Sequence, residues 1–111
     1  MDIREEKHGN VCVVTPRGRL DAATSAGLGE RLDKVVGGSQ PRLLLDFSDV
    51  EFVSSAGLRV ILATLKKIKA ANGTFALCGL RPPVQEVLDI TGFTPLIEIH
   101  PDVSTALAAM A

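Results

Sequence analysis

Three consecutive leucines, Leu43-Leu44-Leu45, stand between Pro41 and Asp46 and limit the folds open to this chain. The run is too short for a helix and has no polar member, so as a strand it must be covered on both faces. A strand covered on both faces lies in a sheet with helices packed on it, a layered α/β arrangement. Composition suits that arrangement. Hydrophobic residues are 46% of the 111, but aromatics only 4%, which leaves Leu, Val, Ile and Ala to fill the core.

Around this strand the other elements fall into place. Val11-Cys12-Val13-Val14 is short and β-branched and reads as a strand running on to Leu20 and Asp21, weakened at its far end by Pro16 and Gly18. Ile3 to Lys7 reads as its partner, turned at His8-Gly9-Asn10. From Ala22 to Val36, Leu28, Leu32, Val35 and Val36 recur at helical spacing, and Gly37-Gly38 supplies a stop. The apolar patch from Val50 to Val53 leads into Ser54-Ser55-Ala56-Gly57-Leu58, where the strongest helix begins. Leu58, Ile61, Leu62, Leu65 and Ile68 form its apolar stripe, Lys66, Lys67 and Lys69 lie off it, and Asn72-Gly73 ends it. Thr74 to Leu80 reads as a strand. Pro82-Pro83 opens a short helix carrying Val84, Val87 and Leu88 and closed by Gly92. Leu96 to Ile99 reads as a last strand, and Asp102 caps a final helix through Met110.

The expected order is β-β-α-β-α-β-α-β-α: one domain over residues 1–111, with a mostly parallel sheet of about five strands and about four helices joined by right-handed crossovers.

Several function classes are excluded by what the chain lacks. A net charge of −1 and four Phe provide neither a basic face nor a stacking platform for nucleic acid. His8 and His100 sit near turns at opposite ends of the chain and read as surface residues, and no Cys or His pair has ligand spacing, so no metal site is expected. Gly27-x-Gly29 lies inside a helical pattern and Gly37-Gly38 follows it, neither making a phosphate-binding fingerprint. Without a nucleophile and base, a metal cluster or a phosphate loop, the expectation is no catalytic residue, no cofactor and no enzyme. Cys12 and Cys78 sit in apolar runs and read as small buried hydrophobes of a reduced compartment, with a disulfide as the other reading. The N-terminal stretch has no apolar signal-peptide core, and no apolar run approaches the ~20 residues that span a bilayer. A cytoplasmic protein that does not enter a membrane is the expectation.

The segment from Leu43 to Leu62, reading LLLDFSDVEFVSSAGLRVIL, resembles the central signature of STAS domains of the anti-sigma factor antagonist type. Gly18-Arg19-Leu20-Asp21, Asn72-Gly73 and Leu88-Asp89-Ile90-Thr91-Gly92-Phe93 resemble further family pieces in order and distance, so the likeness covers almost the whole chain. It implies a single STAS-type domain that binds a GHKL-type serine kinase acting as anti-sigma factor, and thereby releases the sigma factor. It also implies that the kinase phosphorylates a Ser or Thr two residues before the Gly-Leu pair, which is Ser55 here, and that a PP2C-type phosphatase reverses this. Many members read Asp-Ser-[Ser/Thr]-Gly-Leu, whereas this chain has Ser54 at the Asp position and Ala56 after the acceptor. Ser54 is thus a second candidate acceptor. The implied partner surface comprises Asp21, Ser54, Ser55, Ala56, Gly57, Leu58 and Arg59. Other uses of the same domain stand beside this one, as the soluble subunit of a lipid-transport ATPase or as a stress-signalling scaffold.

Elementary chemistry gives each of these residues a second reading. Ser54 or Ser55, where a loop enters a helix, can simply be the N-cap that satisfies a free N–H group. Asp21 ends a strand on the sheet edge where ligands of open α/β folds gather, and can equally cap a turn or helix. Asp46 reads as structural. Arg59 is expected to be exposed, as a partner contact or as a plain solvated side chain.

Overall fold

A computed structural model of the chain describes residues 1–110. Its strands are β1 (Asp2–His8), β2 (Val11–Leu20), β3 (Arg42–Asp46), β4 (Val50–Val53), β5 (Thr74–Cys78) and β6 (Glu98–His100). Its helices are α1 (Ser25–Val35), α2 (Ser55–Ala70), α3 (Pro82–Ile90) and α4 (Val103–Met110). The strand order is β1-β2-β3-β5-β6, with β4 pairing β2 off that path. Only the β1–β2 hairpin is antiparallel; every other pairing is parallel. The expected α/β class, the mostly parallel sheet and the four helices are all present.

Strand alternation divides the core in two. Val14, Leu43, Leu45, Phe75 and Leu77 face Leu28 and Leu32 of α1, Ile61 and Leu65 of α2, and Val84 and Leu88 of α3. Val11, Val13, Leu44, Ala76 and Cys78 face Ala106 and Met110 of α4. The leucine triplet is therefore the middle layer itself. Leu43, Leu44 and Leu45 are each 0% exposed, and removing such a side chain typically costs about 2–5 kcal/mol.

Helix α2 ends as its sequence demands. Asn72 takes a left-handed backbone, with φ of 57°, and the Gly73 N–H then donates to the Ile68 carbonyl at 2.8 Å. A Cβ on Gly73 would lie 2.1 Å from the Pro41 carbonyl oxygen, so no other residue fits there. The turn brings Thr74 N–H to that same carbonyl at 2.8 Å and starts β5 alongside β3.

The structure corrects four expectations. The Val50–Val53 patch is a strand in its own right, making the sheet six-stranded; an irregular register against Gly18 and Arg19 hides it from a period-two reading. The last strand begins at Glu98, because Pro95 closes a 3₁₀ turn over Thr94–Leu96, with Leu96 N–H donating to Phe93 at 3.0 Å. Cys12 is half-buried rather than buried, while Cys78 is fully covered, and both thiols are free. His100 is not a surface residue: its side chain is 15% exposed and lies 3.3 Å from Glu98.

Candidate functional site

The site forms where β2 and β4 finish side by side. Leu20 is in register with Val53, and the Ser54 N–H donates to the Leu20 carbonyl at 2.9 Å. Asp21 and Ser54 therefore step off neighbouring parallel strands at the same carboxyl-terminal edge, as open α/β sheets place their functional groups.

Ser54 and Ser55 have different jobs. Ser54 is extended, with φ of −87° and ψ of 176°, and its Oγ accepts the Gly57 N–H at 3.4 Å. Its carbonyl accepts the Leu58 N–H at 2.9 Å, the first bond of α2. Ser54 is thus the N-cap, as the capping reading of its hydroxyl expects. Ser55 is the first helical residue and is exposed. No acidic residue occupies the first turn of α2, so none of the helix's own side chains offsets the positive end of its dipole.

Gly57 is set by contact rather than by a special backbone. A Cβ there would meet Leu20 Cγ at 2.7 Å and the Leu20 carbonyl oxygen at 2.9 Å. The helix start can press onto the end of β2 only because this side chain is missing. Leu58 is buried beneath the same turn, Ala56 is half-buried, and Arg59 is exposed, as expected.

Asp21 is held by its own turn. Its Oδ1 accepts the Ala23 N–H at 3.0 Å and the Thr24 N–H at 3.2 Å. The Thr24 hydroxyl donates to the Arg19 carbonyl at 2.7 Å and accepts the Asp21 N–H at 3.0 Å. The carboxylate thereby fixes the entry to α1, and it remains half-buried beside the α2 N-terminus. Asp46 is structural as expected: its Oδ1 accepts the Ser48 N–H at 3.0 Å, and Arg81 Nε donates to the Ser48 carbonyl at 2.8 Å, pinning the β3–β4 loop.

Two residues at this edge were missed in the sequence. Arg19 and Phe52 are opposite each other in the β2–β4 register, and the Arg19 guanidinium sits 4.5 Å from the centre of the Phe52 ring. Phe52 is 36% exposed, an aromatic one pair removed from Leu20 and Val53. Reading Val50–Val53 as a strand parallel to β2 would have paired them.

No helix among the described residues is long and apolar enough to cross a membrane. Nor do the described residues include a group of three or more His, Cys, Asp or Glu placed to hold a metal ion.

Fold and site together define a small α/β domain presenting a hydroxyl at the start of its longest helix. The chain belongs to the STAS domain family, which it matches over residues 2–106. The anti-sigma F factor antagonist of Paenibacillus polymyxa is 31% identical over 111 residues, covering 99% of this chain and 95% of that protein. The crystal structure of an anti-sigma factor antagonist from Mycobacterium paratuberculosis has a TM-score of 0.89 at 31% identity, over 98% of this chain and 92% of that one. SpoIIAA of Bacillus in its phosphorylated form shares the fold, with a TM-score of 0.76 at 17% identity over 99% of this chain and 100% of that one.

Proposed function

We propose that this chain is an anti-sigma factor antagonist switched by phosphorylation at Ser55. Unphosphorylated, it binds a GHKL-type serine kinase that doubles as the anti-sigma factor, and so frees the sigma factor. The kinase transfers the γ-phosphoryl group of ATP to the Ser55 oxygen, giving ADP and a proton, and the modified chain leaves. A PP2C-type phosphatase hydrolyses the ester and resets the switch.

One observation carries this reading. Of the two adjacent serines, Ser54 spends its hydroxyl on capping α2, while Ser55 presents its own at an exposed helix N-terminus. A phosphate adds about −1.5 to −2 charges, and a helix N-terminus accommodates such an anion. The fold therefore tolerates modification, while a partner packed on this edge must desolvate a dianion at a cost of several kcal/mol. Each ~1.4 kcal/mol is tenfold in affinity, so one hydroxyl suffices to separate bound from free. Asp21, Ala56 and Arg59 complete the surface, while Gly57 and Leu58 are buried beneath it and seat the helix start, and Asp21 fixes α1 beside it. The domain acts by binding and not by catalysis.

The test is to incubate the protein with its cognate kinase and ATP and to map the product by fragmentation mass spectrometry. Phosphate is expected on Ser55 alone. Phosphate on Ser54, or labelling that persists in Ser55→Ala, overturns the assignment. Recovery of a permease–ATPase complex with no kinase in a pull-down favours the transport subunit instead.

A further inference from the structure

At the opposite end of the sheet, where β3 and β5 begin, a cleft of about 440 Å³ opens beside the α1–β3 connection. Among the described residues its lining contains two cations, Lys7 and Arg42, and no carboxylate. Among the described residues neither takes part in an ion pair. The Nε of Arg42 is buried and has no hydrogen-bond partner. An unanswered guanidinium nitrogen away from water is disfavoured, while the half-buried side chain as a whole lines the open cleft.

The charge is segregated as well as unpaired. An adjoining cleft between α1 and β1 shares Lys7 and adds Arg31, Lys34 and Glu5. Glu5 is engaged by Arg31 at 2.9 Å, which leaves Lys7, Lys34 and Arg42 as a positive margin on a chain whose net charge is −1. One residue of the rim has an unusual backbone: Gln40, of a type that rarely takes a left-handed conformation, has φ of 50°.

We propose that this cleft binds a small soluble phosphate ester of sugar size. Its volume falls in the ~300–1,000 Å³ range of small-molecule sites and exceeds what a bare phosphate needs. Lys7 and Arg42 supply the charge, and a planar guanidinium suits phosphoryl oxygens. Asn10, Ser39, Gln40 and Thr74 offer polar groups for hydroxyls, and no aromatic lines the cleft to stack a base. The site is remote from Ser55 and independent of the switch proposed there.

The probes are glucose 6-phosphate and inorganic phosphate, titrated at constant ionic strength into the full chain while backbone amide shifts are followed by NMR. Saturable shifts are expected at residues 38–42 and 72–74, with glucose 6-phosphate the tighter ligand. Arg42→Gln and Lys7→Gln should each weaken binding at least tenfold, while Ser55→Ala should bind as the wild type does. Because a ligand stabilises only the state it binds, glucose 6-phosphate should raise the melting temperature of the wild type and not of Arg42→Gln. Lys7 lies on an exposed strand, so Lys7→Gln serves should Arg42→Gln misfold. Shifts that do not saturate, affinities unchanged in both variants, or shifts centred on residues 54–58 overturn the site. So does co-sedimentation with phosphatidylcholine vesicles carrying phosphatidic acid when glucose 6-phosphate fails to bind.

Discussion

Gly57 lies against Leu20 so closely that a Cβ on the glycine would stand 2.7 Å from Leu20 Cγ and 2.9 Å from its carbonyl oxygen. One of the three obstructing atoms, the carbonyl oxygen, is backbone, which cannot swing away. The contact couples two elements far apart in sequence, the end of β2 with Asp21 and the start of α2 with Ser55. The Gly-Leu pair that follows the proposed acceptor Ser55 thus has a mechanical meaning. The glycine admits the helix to the sheet edge, and Leu58 anchors it from below.

Gly57→Ala should therefore lower stability by about 1–3 kcal/mol, the usual cost of overpacking a filled site, as read by urea unfolding. Adding Leu20→Ala should recover little, since it removes the clash with the side chain but leaves the carbonyl and opens a cavity. A Gly57→Ala variant within ~0.5 kcal/mol of wild type would mean that α2 can lift away from β2 freely, and the proposed coupling would then be lost.

Ser54→Ala removes the cap of α2, a loss of ~0.5–2 kcal/mol. The observed bond is long at 3.4 Å, which places the expectation in the lower half of that range. Kinase labelling of Ser55 should persist in this variant. Thermal unfolding and a phosphorylation time course check both halves. Labelling abolished in a well-folded Ser54→Ala protein would make Ser54 part of the acceptor site.

Cys78 predicts the shape of the alkaline limb. Burial foremost, with Asp46 and Asp102 adding to it, pushes this thiol up to about 12. In the unfolded chain a thiol titrates near ~8.5. Below that value both states keep the proton and the contribution is fully present. From there to about 12 the unfolded chain loses a proton that the native chain retains, so stability declines as pH rises. Burial and Glu5 raise Cys12 as well, so the two thiols act in the same direction. Denaturant titrations from pH 7 to 11 should show the decline, and Cys78→Ala should flatten it. A native Cys78 that reacts with a thiol reagent at pH 8 as fast as the unfolded chain would contradict this account.

The fold was legible in the sequence because its signals are local. A leucine triplet between Pro41 and Asp46, an apolar stripe with lysines off it, and Asn72-Gly73 at a helix end each state their own geometry. What was not legible depends on register. Val50–Val53 is four residues long, and its pairing slips at Gly18 and Arg19, so no alternation marks it as a strand. Without that strand, neither the Arg19–Phe52 contact nor the reason for Gly57 could be read. The separation of Ser54 from Ser55 came from the resemblance and not from local chemistry, because either hydroxyl satisfies a capping preference and only the backbone angles decide. The cleft at Lys7 and Arg42 draws on four separate stretches of chain, and no spacing rule joins them.

Ser55→Asp separates a surface switch from a conformational one. Because Ser54 holds the cap, the substitution at Ser55 removes no native capping bond and places a carboxylate in a first turn that has no acidic residue. An anion there stabilises a helix by ~0.3–1 kcal/mol, so the variant should melt at the wild-type temperature or slightly above it. Affinity for the kinase should fall at least tenfold, more than ~1.4 kcal/mol, since the charge must be desolvated at an interface built around a neutral hydroxyl. Ser55→Ala should bind as well as wild type or remain bound longer, because it cannot be released by phosphorylation. Thermal unfolding and calorimetric titration of the kinase decide the matter together. An Asp variant that unfolds far earlier would show damage to the fold and remove Ser55 as a site that tolerates charge. One that is stable and binds at full strength would show that negative charge at this position is not the signal.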